Sequence, residues 1–146
     1  MSSVLRKTLT DLTVGDLMIP AEKVAHVQEG NPIEHALLVL VESGYSSVPV
    51  LDLEYKFKGT IAKTPILKSV MGMERFEMER LAEIKVEAVM QKDQPTLTED
   101  TDFLTCLKVV INHAFACVTD EQGYFLGILT RRAILKEVNK SMYTTK

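Results

Sequence analysis

The segment Val14-Gly15-Asp16-Leu17-Met18 returns later in the chain as Val86-Glu87-Ala88-Val89-Met90. Gly59-Thr60-Ile61-Ala62-Lys63-Thr64-Pro65-Ile66-Leu67 likewise returns as Gly127-Ile128-Leu129-Thr130-Arg131-Arg132-Ala133-Ile134-Leu135. A duplicated unit of this length folds as a module that packs on its own copy. Met18 and Met90 lie 72 residues apart, whereas Asp52 and Asp120, like Gly59 and Gly127, lie 68 apart. The second copy has therefore lost four residues between its opening and its central strand, as loop deletions within one fold do.

At 146 residues the chain is long enough for a normal core, either as one domain or as two small units sharing one. Each half alone would be marginal. Seventeen Lys and Arg against 20 Asp and Glu leave a formal charge of −3. Binding to a nucleic-acid polymer through many phosphate contacts is therefore not expected, and any anionic ligand must meet a local basic cluster. No apolar run reaches the length of a membrane span, and Met1-Ser2-Ser3-Val4-Leu5-Arg6-Lys7-Thr8 lacks the apolar stretch of a secretory signal. A cytoplasmic protein without membrane contact is expected. Cys106 and Cys117 sit in apolar segments without metal-type spacing and read as reduced core thiols.

Along the chain, a helical arm is expected to lead into Thr13-Val14-Gly15-Asp16, where a hydroxyl precedes a carboxylate by three residues as in a capping box. Val24 to Val27 reads as a short extended piece. A helix then opens with Asn31 as N-cap and Pro32 in its first turn, and ends at Gly44. Ser46 to Leu51 reads as a strand whose Pro49 removes a backbone donor, which predicts an edge or a strand end near a pocket. Gly59 to Ala62 is the next strand, and residues 66 to 90 are expected to be helix-rich, broken around Met71-Gly72-Met73. Copy two repeats this order: Thr96-Leu97-Thr98, a helix over 102–112, strands over 115–119 and 124–129, and a helix from Arg131. The tail from Ser141 is expected to be loose. Each copy thus runs helix, strand, helix, strand, strand, helix.

These residues resemble a tandem pair of cystathionine-β-synthase-type (CBS) domains, a Bateman module. The carriers are the Val-x-x-x-Met entrances, Ser43-Gly44-Tyr45-Ser46-Ser47-Val48-Pro49-Val50-Leu51-Asp52 and the two Gly-led passages. The resemblance covers about residues 10 to 138 and implies no fused catalytic domain. The implied fold is α/β (α+β): two CBS repeats, each a small sheet with helices on one face, related by a pseudo-twofold axis. The implied division is 10–67 for the first repeat, 68–81 for a helical linker and 82–138 for the second repeat.

The resemblance also implies a ligand cleft between the repeats, with Lys23, Ala25, Tyr45, Ser46, Ser47 and Pro49 facing a base and Thr130, Arg131 and Arg132 facing phosphate. Ala25 leaves room for a flat ring, Tyr45 can stack, and the serines supply hydroxyls. Two adjacent arginines at a helix start suit two phosphates, each charge-assisted contact contributing on the order of 1.5–3 kcal/mol. A mate cleft would pair Pro95, Thr96, Phe115 and Ala116 with Ala62, Lys63 and Thr64; it is poorer, because Ala62 stands where the other has Thr130.

One departure separates the possible ligands. Nucleotide-binding members of the family carry an Asp three residues after the Thr, which grips the ribose diol of a mononucleotide; here those positions are Ala133 and Pro65. Losing that grip while keeping two arginines favours a ligand whose ribose 3′ oxygen is esterified. The small stand-alone two-CBS proteins that bind cyclic di-AMP in Gram-positive bacteria are similar in this respect. The resemblance thus implies a homodimeric, cyclic di-AMP-sensing regulator that controls docking to a partner protein of unknown identity. The alternatives are an AMP-, ADP- or ATP-sensing regulator and a ligand-free dimerisation scaffold with Tyr45 filling the cleft.

No Gly-rich phosphate loop, Ser-His-Asp order or recognisable carboxylate pair occurs, so no catalytic residue is assigned and no enzyme is expected. No cofactor is expected. His26, His35 and His113 lack metal spacing and read as satisfied or surface histidines. Glu74, Glu77, Glu79 and Glu83 alternate with Arg75, Arg80 and Lys85 and read as a solvated helix face.

Overall fold

A computed structural model describes residues 8–144, the side chain of Thr144 excepted. Among the described residues the strands are β1 (Ile19–Pro20), β2 (Val27–Gln28), β3 (Ser47–Leu51), β4 (Phe57–Ala62), β5 (Thr96–Leu97), β6 (Phe115–Thr119) and β7 (Phe125–Thr130). The α-helices among them are α1 (Val14–Leu17), α2 (Ile33–Ser43), α3 (Lys63–Ser69), α4 (Phe103–Asn112) and α5 (Arg131–Thr144). Two compact units emerge. One is Ala25–Gln94; the other joins the chain up to Val24 with the chain from Pro95 onward.

Within the Ala25–Gln94 unit, β3 lies between β2, its parallel partner, and β4, its antiparallel partner. Alternation along β3 sends Val48 and Val50 to the face that meets Ile33, Ala36 and Leu40 of α2 and Ile66 of α3. The helix ends as expected: Gly44 takes a left-handed φ of 78° and donates its N–H to the Leu40 carbonyl. The terminal unit repeats the plan, with sheet order β1-β7-β6-β5 and a core of Leu97, Phe103, Cys106, Val110, Ala116, Val118, Leu129 and Ile134.

The unit boundaries explain both repeated motifs. Val14 is fully buried in the core formed by the second copy, and Val86 is fully buried in the core formed by the first. Val14 and Gly15 donate their N–H groups to the carbonyls of Thr101 and Glu99, and Val86 and Glu87 donate theirs to Asn31 and Glu29. Each opening segment is therefore built into the body that follows the other one in sequence. The glycines have the same origin. A Cβ on Gly127 would run into the Ile19 carbonyl, and one on Gly59 into the Gln91 carbonyl. Only a residue without a side chain lets the crossing segment pair there, as Pro20 does with Gly127 and Gln91 with Thr60.

Several local expectations shift. The N-cap of α2 is Pro32, because the Asn31 side chain turns back to accept the Gln28 N–H at 3.0 Å. Pro49 lies on the central strand of its sheet. Thr60 gives both its N–H and its carbonyl to Gln91, so the Pro49–Thr60 pair needs no ladder bond. On its other side Pro49 precedes the residues that pair with β2, so its missing donor leaves no gap.

Of the helix-rich stretch expected over 66–90, α-helix extends only to Ser69. Gly72 then accepts no helical continuation: its N–H goes to the Arg75 carbonyl, closing a turn, and 3-10 turns follow at Met78–Ala82 and Val86–Ala88. With Met73, Phe76 and Met78 exposed there is no buried stripe to hold a longer helix. Arg75–Glu79 and Arg80–Glu77 pair there on the surface. At the other end, Ser141 continues α5 to Thr144 instead of fraying. The arm expected before Thr13 lies partly outside the described residues; within them, Leu9–Asp11 is a 3-10 turn and the Thr13–Asp16 capping box is formed.

Both thiols are buried and unpaired with one another, and desolvation pushes Cys106 up to about 11 and Cys117 higher still. No helix among the described residues is long and apolar enough to cross a membrane.

Candidate functional site

The cationic residues belong to the terminal unit. β7 ends at Thr130, whose Oγ1 accepts the Ala133 N–H at 3.1 Å and so caps α5. Arg131 N–H goes to the Ala114 carbonyl at 2.8 Å, leaving the Arg132 N–H of the first turn without a partner among the described residues. No acidic residue occupies that turn. An anion at this end would face an unopposed positive dipole and the cationic side chains of Arg131 and Arg132.

The two arginines differ. Arg131 is half-buried and donates Nε–H to the Val110 carbonyl at 2.7 Å, near the C-terminal end of α4. Arg132 is exposed, with no hydrogen bond or ion pair among the described residues. Sequence reasoning treated them as an equivalent pair and missed the tie to Val110. No local pattern signals a contact spanning 21 residues.

Lys23 belongs to the same unit, exposed at the end of the 3-10 turn Ala21–Lys23, which packs beside β7. The register sets Ile19 opposite Ile128 and Pro20 opposite Gly127, so the chain runs on from β1 toward the Phe125 end of β7.

The remaining candidates belong to the Ala25–Gln94 unit. Ala25 lies two residues before β2, with His26 between them, Tyr45 and Ser46 link Gly44 to β3, Ser47 opens β3 opposite Ala62, and Pro49 is buried in the strand. Tyr45 is 49% exposed and its hydroxyl has no partner among the described residues, so its ring is not part of the core. Its N–H is held by Ser43 Oγ at 3.3 Å. The side chains of Ser46 and Ser47 likewise lack partners among the described residues. In the mate set, Ala62 caps α3 without any side-chain bond, which makes that helix start poorer than the one at Thr130.

Two like βαββα bodies, each completed by a borrowed opening segment, with a threonine-capped helix start carrying two arginines in the terminal unit, define a duplicated small-module protein. The CBS domain family model matches residues 14–71 and 86–140, and the chain belongs to the CBS-domain family. It is 47% identical over 140 residues to the cyclic di-AMP receptor B of Bacillus subtilis, covering 96% of this chain and 95% of that protein. Among solved structures, a CBS domain-containing protein from Bacillus anthracis superposes with a TM-score of 0.85 at 56% identity, covering 90% of this chain and 96% of that one. CbpB from Listeria monocytogenes, solved in complex with c-di-AMP, superposes with a TM-score of 0.83 at 46% identity, covering 89% of this chain and 97% of that one.

Proposed function

We propose that the protein is a non-enzymatic sensor of cyclic di-AMP, with Thr130, Arg131 and Arg132 receiving phosphate and Ala25, Tyr45, Ser46, Ser47 and Pro49 receiving an adenine. Lys23 supplies a further cation. The observation that carries this reading is the exposed Arg132, without a partner among the described residues, at a threonine-capped helix start that has no carboxylate in its first turn. Such a start attracts phosphate and lacks the acidic group that would favour a free ribose diol. The names of the Bacillus subtilis and Listeria monocytogenes relatives support the same ligand.

As a regulator it works in the cytoplasm as a homodimer, and ligand occupancy changes its docking to a partner protein. Such control requires the bound and free states to differ in partner affinity. A thermal-shift panel of AMP, ATP, cyclic di-AMP and cyclic di-GMP tests the ligand. Cyclic di-AMP is expected to stabilise the protein by about 2.7 kcal/mol at a hundredfold excess over its Kd, with AMP and ATP far weaker. Equal or larger shifts with AMP or ATP would make it a mononucleotide sensor, and no shift with any of the four would make it a scaffold.

A further inference from the structure

The hairpin turns of the two copies match bond for bond, yet differ at one strained position. Asp52 Oδ1 accepts the N–H groups of Glu54 and Lys56 at 2.8 and 2.9 Å; Asp120 Oδ1 accepts those of Gln122 and Tyr124 at 3.0 and 2.9 Å. In both turns the third residue after the Asp donates its N–H back to the Asp carbonyl at 3.0 Å. That residue is Gly123 in the second copy, at φ 91°, and Tyr55 in the first, at φ 71°. Glycine enters this left-handed region freely, whereas a tyrosine meets steric strain there. Tyr55 is the only described non-glycine residue with positive φ.

Strain of this kind persists where the surroundings over-determine it. The Tyr55 ring meets His26 edge-on, with centroids 5.3 Å apart and planes at 81°. His26 adjoins Ala25, and neither lies in the β2 ladder, which pairs only Val27 and Gln28. The corresponding entrance in the second copy is fixed differently. The pairing of Val27 with Val50 and of Leu97 with Val118 puts Pro95 in the place of Ala25, and its ring locks φ. One copy therefore combines a stiff proline entrance with a relaxed glycine turn. The other combines a pliable alanine entrance with a strained tyrosine turn.

We propose that Tyr55 is a positioning residue for nucleotide binding, a strut that acts through His26 to hold the backbone at Ala25 where an adenine edge is read. This rests on the reading of the protein as a cyclic di-AMP sensor. Small Ala25 leaves space for the base but leaves the strand entrance loose, and the Tyr55–His26 contact supplies the rigidity that proline supplies in the other copy.

Calorimetry with cyclic di-AMP on the wild-type protein, Tyr55→Gly, Tyr55→Phe, His26→Ala and the Tyr55→Gly/His26→Ala double variant tests this. Tyr55→Gly restores the residue that the second copy uses in the same turn, so its melting temperature should stay within about 3 °C, since relief of strain offsets the added freedom of the unfolded chain. Its affinity should fall on the order of 5- to 10-fold. Tyr55→Phe keeps the ring and should bind within about twofold of wild type. His26→Ala should lose affinity as Tyr55→Gly does, and the double variant should lose no more than the weaker-binding single. Wild-type affinity in Tyr55→Gly, a loss in Tyr55→Phe, or simple addition of the two single losses would each overturn the strut. A wild-type protein that ignores cyclic di-AMP would instead overturn the ligand assignment on which it rests.

Discussion

Arg131 Nε and the Val110 carbonyl lie 2.7 Å apart, so one arginine of the pair at the start of α5 is tied to the end of α4 while its neighbour Arg132 is exposed. A cation near the last carbonyls of a helix sits at the favourable end of that helix's dipole. The tie gives Arg131 a structural duty as well as a place near the proposed phosphate, and the two residues should separate on substitution.

Arg132→Met should lower cyclic di-AMP affinity roughly 10- to 100-fold with the melting temperature unchanged. Arg131→Met should also lower affinity, but should in addition destabilise the ligand-free protein by about 1–2 kcal/mol through loss of a charge-assisted bond to backbone. Calorimetry paired with urea unfolding distinguishes them. Equal stability of the two variants would mean that the contact with Val110 contributes nothing.

Val14→Ala removes methyl groups from a fully buried site and should cost about 2 kcal/mol. Because Val14 packs among Leu97, Phe103, Val118 and Leu129, the lost hydrogen-exchange protection should fall on β5, β6 and β7, far along the chain from the substitution. Val86→Ala should mirror it, weakening β2, β3 and β4. Loss confined to sequence neighbours would contradict the exchanged opening segments.

Gly127→Ala and Gly59→Ala should each destabilise by about 1–3 kcal/mol, since the added Cβ meets a backbone carbonyl that cannot swing away as a side chain would. Thermal unfolding checks this. Gly30→Ala, with open space around the new methyl, is the control and should be near neutral.

Asp52 and Asp102 both titrate below the ordinary 3.8. Asp52 is held down chiefly by the Lys56 N–H and then by that of Glu54, Asp102 by its side-chain bond at Thr105 and then by the Thr105 backbone. A carboxyl whose folded value is depressed contributes stability that is complete above its unfolded value and is lost as pH falls through the folded one. Urea midpoints should therefore hold from neutrality to about pH 5 and drop below about pH 4. Asp52→Asn should shallow that drop, because its amide oxygen accepts the same bonds without titrating. An unchanged acid limb would remove Asp52 as a contributor.

Thiol-trapping reagents at pH 8 should label neither cysteine until the chain unfolds, because both are buried and desolvation raises Cys106 to about 11 and Cys117 further. Native-state labelling at the rate of an exposed thiol would contradict their burial.

The repeat, the strand, helix, strand, strand, helix order within each copy, the Thr13–Asp16 capping box, the Gly44 stop and the tandem CBS architecture were legible in the sequence, whereas strand β1 at Ile19–Pro20 was not. The CBS architecture was implied by the resemblance that those motifs carry; the others rest on repetition, on periodicity or on bonds between residues a few positions apart. Three expectations shifted: the cap at Asn31, the placing of Pro49 at an edge or strand end, and the helix content of residues 66–90, whose break around Gly72 is present but whose later part forms only 3-10 turns; the first two turn on which backbone groups already have partners. For the proposed site, residue types at Tyr45, Ser46, Ser47, Thr130, Arg131 and Arg132 could be named from sequence, but their unequal employment could not.

Sequence alone determined that two like modules exist and which segments open them, because a duplicated pattern needs no coordinates to be seen. Only the tertiary structure decided that Val14 and Val86 complete one another's bodies, that Arg131 is spent partly on Val110, and that Tyr55 is strained against His26. Each of these depends on a contact between residues distant in the chain, where packing and backbone accounting choose the partner and local propensity carries no information.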